Sequence, residues 1–336
     1  MPLTGSMDGS GGFQHLSVPP PGDGPSRVYS ARGVFSALGL SLLFILVYYI
    51  AQTFAQLAYA LILMIGDVLR STGDGFQIGD FQIDLWSVLQ RVESRYTIIA
   101  SIYALMLIGA YTAIIRARGR GRTAYVRTRR PAFSQIGAAL AVSIGMLGTA
   151  NLVYVGLDWL GRHTRVVGDW MANYETVVES AFDSEAGVGW LILGVCVLVP
   201  IAEELLFRGL IQAELSAAMH PWLAVLMQAL LFSLFHMQAV QSMYVFIPGF
   251  AMGAAYLATG SILVPILMHM LFNFIGSGAL DALTGGSEAV GQALYAAQYG
   301  FILVGAFCLV WMFKSRTLRR SIDDNESTEY DNEVST

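Results

Sequence analysis

Between Gly187 and Gly278 the chain is almost wholly apolar, and its only Asp, Glu, Lys or Arg residues are Glu203, Glu204, Arg208 and Glu214. A charge at bilayer depth costs roughly 2.5–3.5 kcal/mol on insertion scales, and such residues mark functional sites by default. Glu204 and Arg208 are four residues apart with the acid N-terminal, the favourable order for a pair on one helix face. In a low-dielectric setting they neutralise each other. Glu203 is turned from Glu204 by about 100°, so it points elsewhere and is free for chemistry. Pro200 lacks an N–H and clashes with the preceding turn, so a kink or a restart of the helix is expected there. A restart would put both acids in a first turn, where the helix dipole favours carboxylates. The competing reading is a buried ion network that only fixes helix packing.

Two of the five histidines, His236 and His269, also fall in apolar segments, and Asn273 follows His269 by one helical turn on the same face. Unpaired polar groups are costly in lipid, so these side chains are expected to face one another or a water-filled cavity. Together they compose a hydrolytic site. Glu203 acts as general base on a water that His236 helps to hold. His269 and Asn273 donate hydrogen bonds to the developing oxyanion. A metal reading uses the same atoms: Glu203, His236 and His269 make a zinc shell with one position left for water. No His-Glu-x-x-His motif is present, so the cofactor stays open between zinc and none.

The elements that must position these residues are membrane helices. Hydrophobic residues make up 55% of the chain, charged residues 13%, and the mean hydropathy is +0.58; soluble domains carry about 25% charged residues. Apolar runs at 33–66, 96–115, 133–157, 187–215, 222–237, 243–258, 262–276 and 296–313 predict about eight transmembrane helices. The fold class is therefore an all-α polytopic helical bundle with disordered cytoplasmic tails. Residues 1–30, rich in Gly, Pro and Ser, form the first tail. The membrane domain covers 31–315 with its catalytic core at about 187–278, and 316–336 is an acidic disordered tail. Cys196 and Cys308 lie in apolar runs and are expected to be small buried residues rather than a disulfide or zinc framework.

The loop after the second span carries Arg116, Arg118, Arg120, Arg122, Arg127, Arg129 and Arg130 without an acid. The positive-inside rule places it, and with it both termini, in the cytoplasm; Lys314, Arg316, Arg319 and Arg320 after the last span agree. The loops 67–95 and 161–186 hold more acids than bases and fall outside. The arginines flank membrane spans and no soluble reading domain accompanies them, so nucleic acid is not an expected partner. At about 1.5 Å per residue, Glu203 and His269 come near mid-depth and His236 close to the outer side. A common site therefore needs kinked or offset helices, for which Pro200, Pro248 and Pro265 are candidates.

Glu-Glu-x-x-x-Arg at Glu203–Arg208, Phe-x-x-x-His at Phe232–His236 and His-x-x-x-Asn at His269–Asn273, in that order, resemble the CAAX protease and bacteriocin-processing family, also called Abi. Pro200-Ile201-Ala202 and Phe207-Arg208-Gly209 add to the likeness, which covers about a quarter of the chain. The resemblance implies an intramembrane endopeptidase acting on a membrane-embedded or lipid-anchored peptide or protein. It implies that Glu203 and His236 activate water and that His269 and Asn273 stabilise the oxyanion. Glu204, Arg208 and Phe232 support the site. The family is described both as metalloproteases and as metal-free glutamate proteases. Eukaryotic members trim prenylated Cys-a-a-X termini, and bacterial relatives include pheromone-processing and bacteriocin-immunity proteins. One lysine, Lys314, against many arginines, with high Gly and Ala content, points to a GC-rich bacterial genome and so to a bacterial plasma membrane. Two other functions compete: a non-catalytic scaffold or immunity factor that retains the network, and a transporter with an acidic proton relay. The single cluster and the lack of a repeat argue against the transporter.

Overall fold

The computed structural model describes residues 29–72, 85–119, 126–182 and 186–334. The expected N-terminal tail lies almost wholly outside the described residues, as do Arg120 and Arg122. In chain order the helices are α1 (Ala31–Thr72), α2 (Leu85–Glu93), α3 (Tyr96–Arg118), α4 (Phe133–Gly161) and α5 (Arg165–Phe182). There follow α6 (Val188–Ala218), α7 (Pro221–Phe235), α8 (Ala239–Thr259), α9 (Leu263–Gly276), α10 (Ala279–Leu283) and α11 (Glu288–Val334). Among the described residues the only β pairing is an isolated antiparallel bridge, Thr128 with Ser261. The segment 316–334, expected as an acidic disordered tail, continues α11 as far as Val334.

Among the described residues six helices are long and apolar enough to cross a bilayer: α1, α3, α4, α6, α8 and α11. Their apolar side chains cover the exterior: Leu46, Phe54 and Leu61 on α1 and Leu303 and Phe307 on α11 are each more than half exposed. A surface of this kind fits hydrocarbon. The chain is an all-α polytopic integral membrane protein. Each of the eight apolar runs is helical, but α7 and α9 are short. At 15 and 14 residues they are roughly 22 Å and 21 Å long, less than the ~30 Å hydrocarbon core. The amphipathic α2 and α5 occupy loops in which no helix was expected.

Helices come together through small residues, as membrane helices must where no hydrophobic drive separates protein from lipid. On α4, a side chain at Gly145 or Gly148 would meet the backbone carbonyls of Phe301 and Gln298 on α11, and on α11 Gly305 lies against Ala141 and Val142. Behind this pair α3 and α6 build the core, with Ile99, Tyr103 and Leu107 against Leu206, Phe207 and Leu210. At Gly194, α6 approaches the Thr97 carbonyl and the Ser101 hydroxyl of α3 so closely that no larger residue would fit.

α6 carries the paired acids and does not restart at Pro200. Leu198 and Val199 keep right-handed helical torsions (φ −71°, ψ −44° and φ −61°, ψ −50°). The helix instead widens into π turns on both sides, at Leu191–Leu198 and Leu205–Ile211, where the Val199 N–H donates to the Gly194 carbonyl and the Gln212 N–H to that of Phe207. A wider turn relieves the proline ring's clash with the carbonyl four residues back. Glu203 and Glu204 are therefore mid-helix, without the benefit expected from a free helix N-terminus.

Candidate active site

Glu203, Glu204 and Arg208 are buried at the centre of the bundle, with 6%, 0% and 0% of their surface exposed. The Arg208 guanidinium spans two helices: Nη1 donates to Glu204 Oε1 at 2.7 Å and Nη2 donates to the Gly249 carbonyl of α8 at 2.9 Å. Its cationic plane lies 5.0 Å from the centre of the Phe232 ring, a cation–π contact strengthened by desolvation. The sequence reading of Glu204 as the partner of Arg208 matches this geometry.

Glu204 does a second thing that spacing along α6 does not reveal. Its Oε1 also lies 2.8 Å from His269 Nδ1. A carboxylate held by an arginine accepts, so Nδ1 carries a proton and Nε2 is the nitrogen left to face Glu203. That Nε2 is 3.7 Å from Glu203 Oε2. His269 thus stands between the two acids, oriented by Glu204 and facing Glu203. With both glutamates ionised and Arg208 charged the group carries one net negative charge; one proton shared by Glu203 and His269 makes it neutral. Charge neutrality is a strong requirement in hydrocarbon.

His236 follows the last residue of α7, and its Nδ1 lies 2.8 Å from the Phe232 carbonyl. A carbonyl only accepts, so Nδ1 carries the proton and Nε2 is left as the basic nitrogen. Met237, next in the chain, adopts a left-handed conformation (φ 55°) that turns the chain sharply into α8. Phe232 is the common floor: its ring meets His236 edge-on at 4.9 Å and His269 edge-on at 5.8 Å. The expected mismatch in depth does not keep the histidines apart, since the rings of His236 and His269 both lie against the Phe232 ring. Among the described residues Glu203 and His236 share no hydrogen bond. Asn273 lies one turn beyond His269 on α9, and its Nδ2 donates to the Val195 carbonyl in the first π turn of α6 at 2.9 Å.

Sequence reasoning overlooked one residue on a further element, α1, and two on the elements that already carry the site. Tyr48 of α1 donates its hydroxyl to Glu203 Oε1 at 3.2 Å. Gln228 of α7 donates to the same Gly249 carbonyl as Arg208, at 3.3 Å, and Gln212 of α6 donates to the Gly253 carbonyl at 3.1 Å. Polar side chains inside apolar spans were the available signal. α5 closes this end of the bundle: Val167 and Met171 pack on Val240 of α8, and the Tyr174 and Tyr244 hydroxyls are 2.8 Å apart. Among the described residues no three His, Cys, Asp or Glu side chains form a metal-binding set. Glu203, His236 and His269 therefore do not fit the three-ligand shell considered for zinc. The cysteines are free, Cys196 buried and Cys308 half-buried.

Residues 185–275 match the sequence profile of a family described as type II CAAX prenyl endopeptidase Rce1-like. The match includes Glu203, Glu204, Arg208, Phe232, His236, His269 and Asn273. It agrees with the resemblance carried by the three motifs. No curated protein and no solved structure matches the chain.

Proposed function

We propose that the chain is an intramembrane endopeptidase in which Glu203 is the general base. The observation that carries this reading is His269 held between two buried carboxylates, its Nδ1 2.8 Å from Glu204 and its Nε2 3.7 Å from Glu203. In the ion-pair form Glu203 is an unprotonated base and His269 an N–H donor. Glu203 takes a proton from water as the water oxygen bonds to the scissile carbonyl carbon. The Nε2–H of His269 and the second amide N–H of Asn273 stabilise the oxyanion. When the C–N bond breaks, the proton on Glu203 passes to the leaving amine. His236, with Nε2 as its basic nitrogen, helps to hold the water. The apolar surroundings exclude bulk water and strengthen each of these interactions.

A membrane-embedded or lipid-anchored peptide or protein is the substrate class that suits a site inside apolar helices, and nucleic acid is not. The arginine-rich segment after α3 supports a topology with both termini in the cytoplasm, and the lysine-poor, arginine-rich composition supports a bacterial plasma membrane. The test is a comparison of membrane peptides from cells expressing wild type or Glu203→Gln at equal levels. The expected outcome is that peptides released by the wild type vanish with the variant. Unchanged peptides would overturn the assignment of Glu203. Chelation of the purified active protein, with elemental analysis, decides between zinc and no metal. A second reading, a scaffold or bacteriocin-immunity factor, is favoured by the tight pairing of Glu204, Arg208 and Gly249; it expects Glu203→Gln and His236→Ala to keep the cellular phenotype.

A further inference from the structure

α1 lies outside the segment that carries the family match, yet two consecutive side chains of it reach the site. The Tyr48 hydroxyl donates to Glu203 Oε1 at 3.2 Å, and the Tyr49 hydroxyl donates to the carbonyl of Phe235, the residue before His236. Neighbours on a helix point about 100° apart, so α1 sits at the seam between α6, which carries the base, and the end of α7, which carries His236. Tyr48 is 3% exposed. Its ring is fixed edge-on against Phe235 at 4.7 Å and against Tyr103 of α3 at 5.6 Å. The Tyr103 hydroxyl in turn lies 3.4 Å from that of Tyr96. A phenol inside apolar helices needs an acceptor, and here the acceptor is the proposed catalytic carboxylate.

Tyr48 is not merely packed. Its hydroxyl occupies Oε1 of Glu203, and the other oxygen, Oε2, is the one that faces His269 Nε2. We infer that Tyr48 is a positioning residue of the peptide-hydrolysing site, holding the Glu203 carboxylate so that Oε2 is presented for proton exchange. The inference rests on Glu203 being the base. The charged or protonatable groups facing Glu203 are Glu204 and Arg208 on its own helix and His269 on α9. The phenols around it are Tyr48 and Tyr49 from α1 and Tyr96, Tyr103 and Tyr111 from α3. Of these phenols, Tyr48 is the one that donates to its carboxylate.

The test uses the full-length protein in bicelles and Tyr48→Phe, which removes one oxygen and keeps the ring. The probe is a quenched fluorescent peptide with an S-farnesylated cysteine four residues from its C-terminus. A donor to a buried carboxylate favours its charged form, so losing it makes the base harder to ionise. The expected result is a kcat lower by roughly tenfold and an acidic limb of the kcat–pH profile displaced to higher pH. Tyr49→Phe, which loses a bond to a backbone carbonyl, leaves that limb where it is. An acidic limb unmoved in Tyr48→Phe would overturn the inference. If the wild type does not cleave the probe, that failure belongs to the proposed activity, and melting midpoints decide about Tyr48. Tyr48→Phe should lower the midpoint by about 2–4 °C in the wild type, and by less in Glu203→Gln, because a hydrogen bond to a charged acceptor is the stronger one. Equal shifts in the two backgrounds would also overturn it.

Discussion

Arg208 has no exposed surface, and its two terminal nitrogens are committed to Glu204 and to the Gly249 carbonyl above the Phe232 face. Removing one partner of a buried ion pair leaves an uncompensated charge and typically costs roughly 3–5 kcal/mol, whereas replacing both partners with apolar residues is often near neutral. Arg208→Met is therefore expected to lower the melting midpoint and yield sharply. Arg208→Lys, which keeps the charge but loses the planar fork, should fall between it and the wild type. Glu204→Leu combined with Arg208→Met should recover much of the stability yet leave cleavage low, because His269 Nδ1 loses the carboxylate that orients it. Recovery of both stability and cleavage in the double variant would show that Glu204 has no role beyond pairing with Arg208. The Glu204–Arg208 pair was legible in the sequence because it obeys local helical spacing. The bond from His269 to Glu204 was not, since 65 residues separate them and only the packing of α9 on α6 brings them together. Tyr48 was hidden for the same reason: a tyrosine in an apolar run looks like any other membrane-helix aromatic until its partner is known.

At the scale of elements the site depends on helices that break the usual rules of span length. α7 and α9 are shorter than the hydrocarbon core is thick, and α6 is widened by π turns on either side of its acids. The apolar runs marked eight of the eleven helices described, because hydropathy in lipid follows from the need to satisfy the backbone internally. They did not reveal α2 or α5, which lie in loops too polar to read as spans. Nor did they reveal the π turns, which depend on how Pro200 is accommodated. α8 contributes mainly backbone: the Gly249 carbonyl receives both Arg208 and Gln228, an approach that only a small residue permits. A methyl group at Gly249 would lie 2.8 Å from Cδ1 of Phe232, the ring on which Arg208, His236 and His269 all rest. Gly249→Ala should destabilise the protein by about 1–3 kcal/mol, the usual cost of overpacking, and lower cleavage more than the surviving folded fraction explains. Activity per folded molecule, from melting curves and initial rates on one preparation, separates the two effects. A variant whose activity tracks its folded fraction would show that the Phe232 floor does not position the histidines.

The orientation of the whole molecule follows from the two ends of α8. At its start α5 packs on Val240 and Tyr244, and Asn173 of α5 donates to Gln238 at 3.2 Å. Beyond its other end, Ser261 bridges Thr128, and the Ile262 N–H donates to the Arg127 carbonyl at 3.0 Å. With 21 residues, α8 holds these surfaces roughly 32 Å apart, about the thickness of the hydrocarbon core. The arginine-rich segment and the α5 segment, which holds more acids than bases, are thus on opposite faces, as the loop charges suggested. The His236 turn, beside α5, places the site in the half of the bundle away from the arginines. In the proposed orientation, argued from the positive-inside rule, Arg127, Arg129 and Arg130 face the cytoplasm and α5 the outside. Arg129 and Asp169 are both exposed, so each can report its face as a lone thiol once Cys196 and Cys308 are replaced by alanine. In intact cells a membrane-impermeant maleimide should label Asp169→Cys and leave Arg129→Cys unmodified until the membrane is opened. The reverse pattern would invert the protein and place the His236 end of the site on the cytoplasmic side, changing which pool of lipid-anchored substrates can reach Glu203.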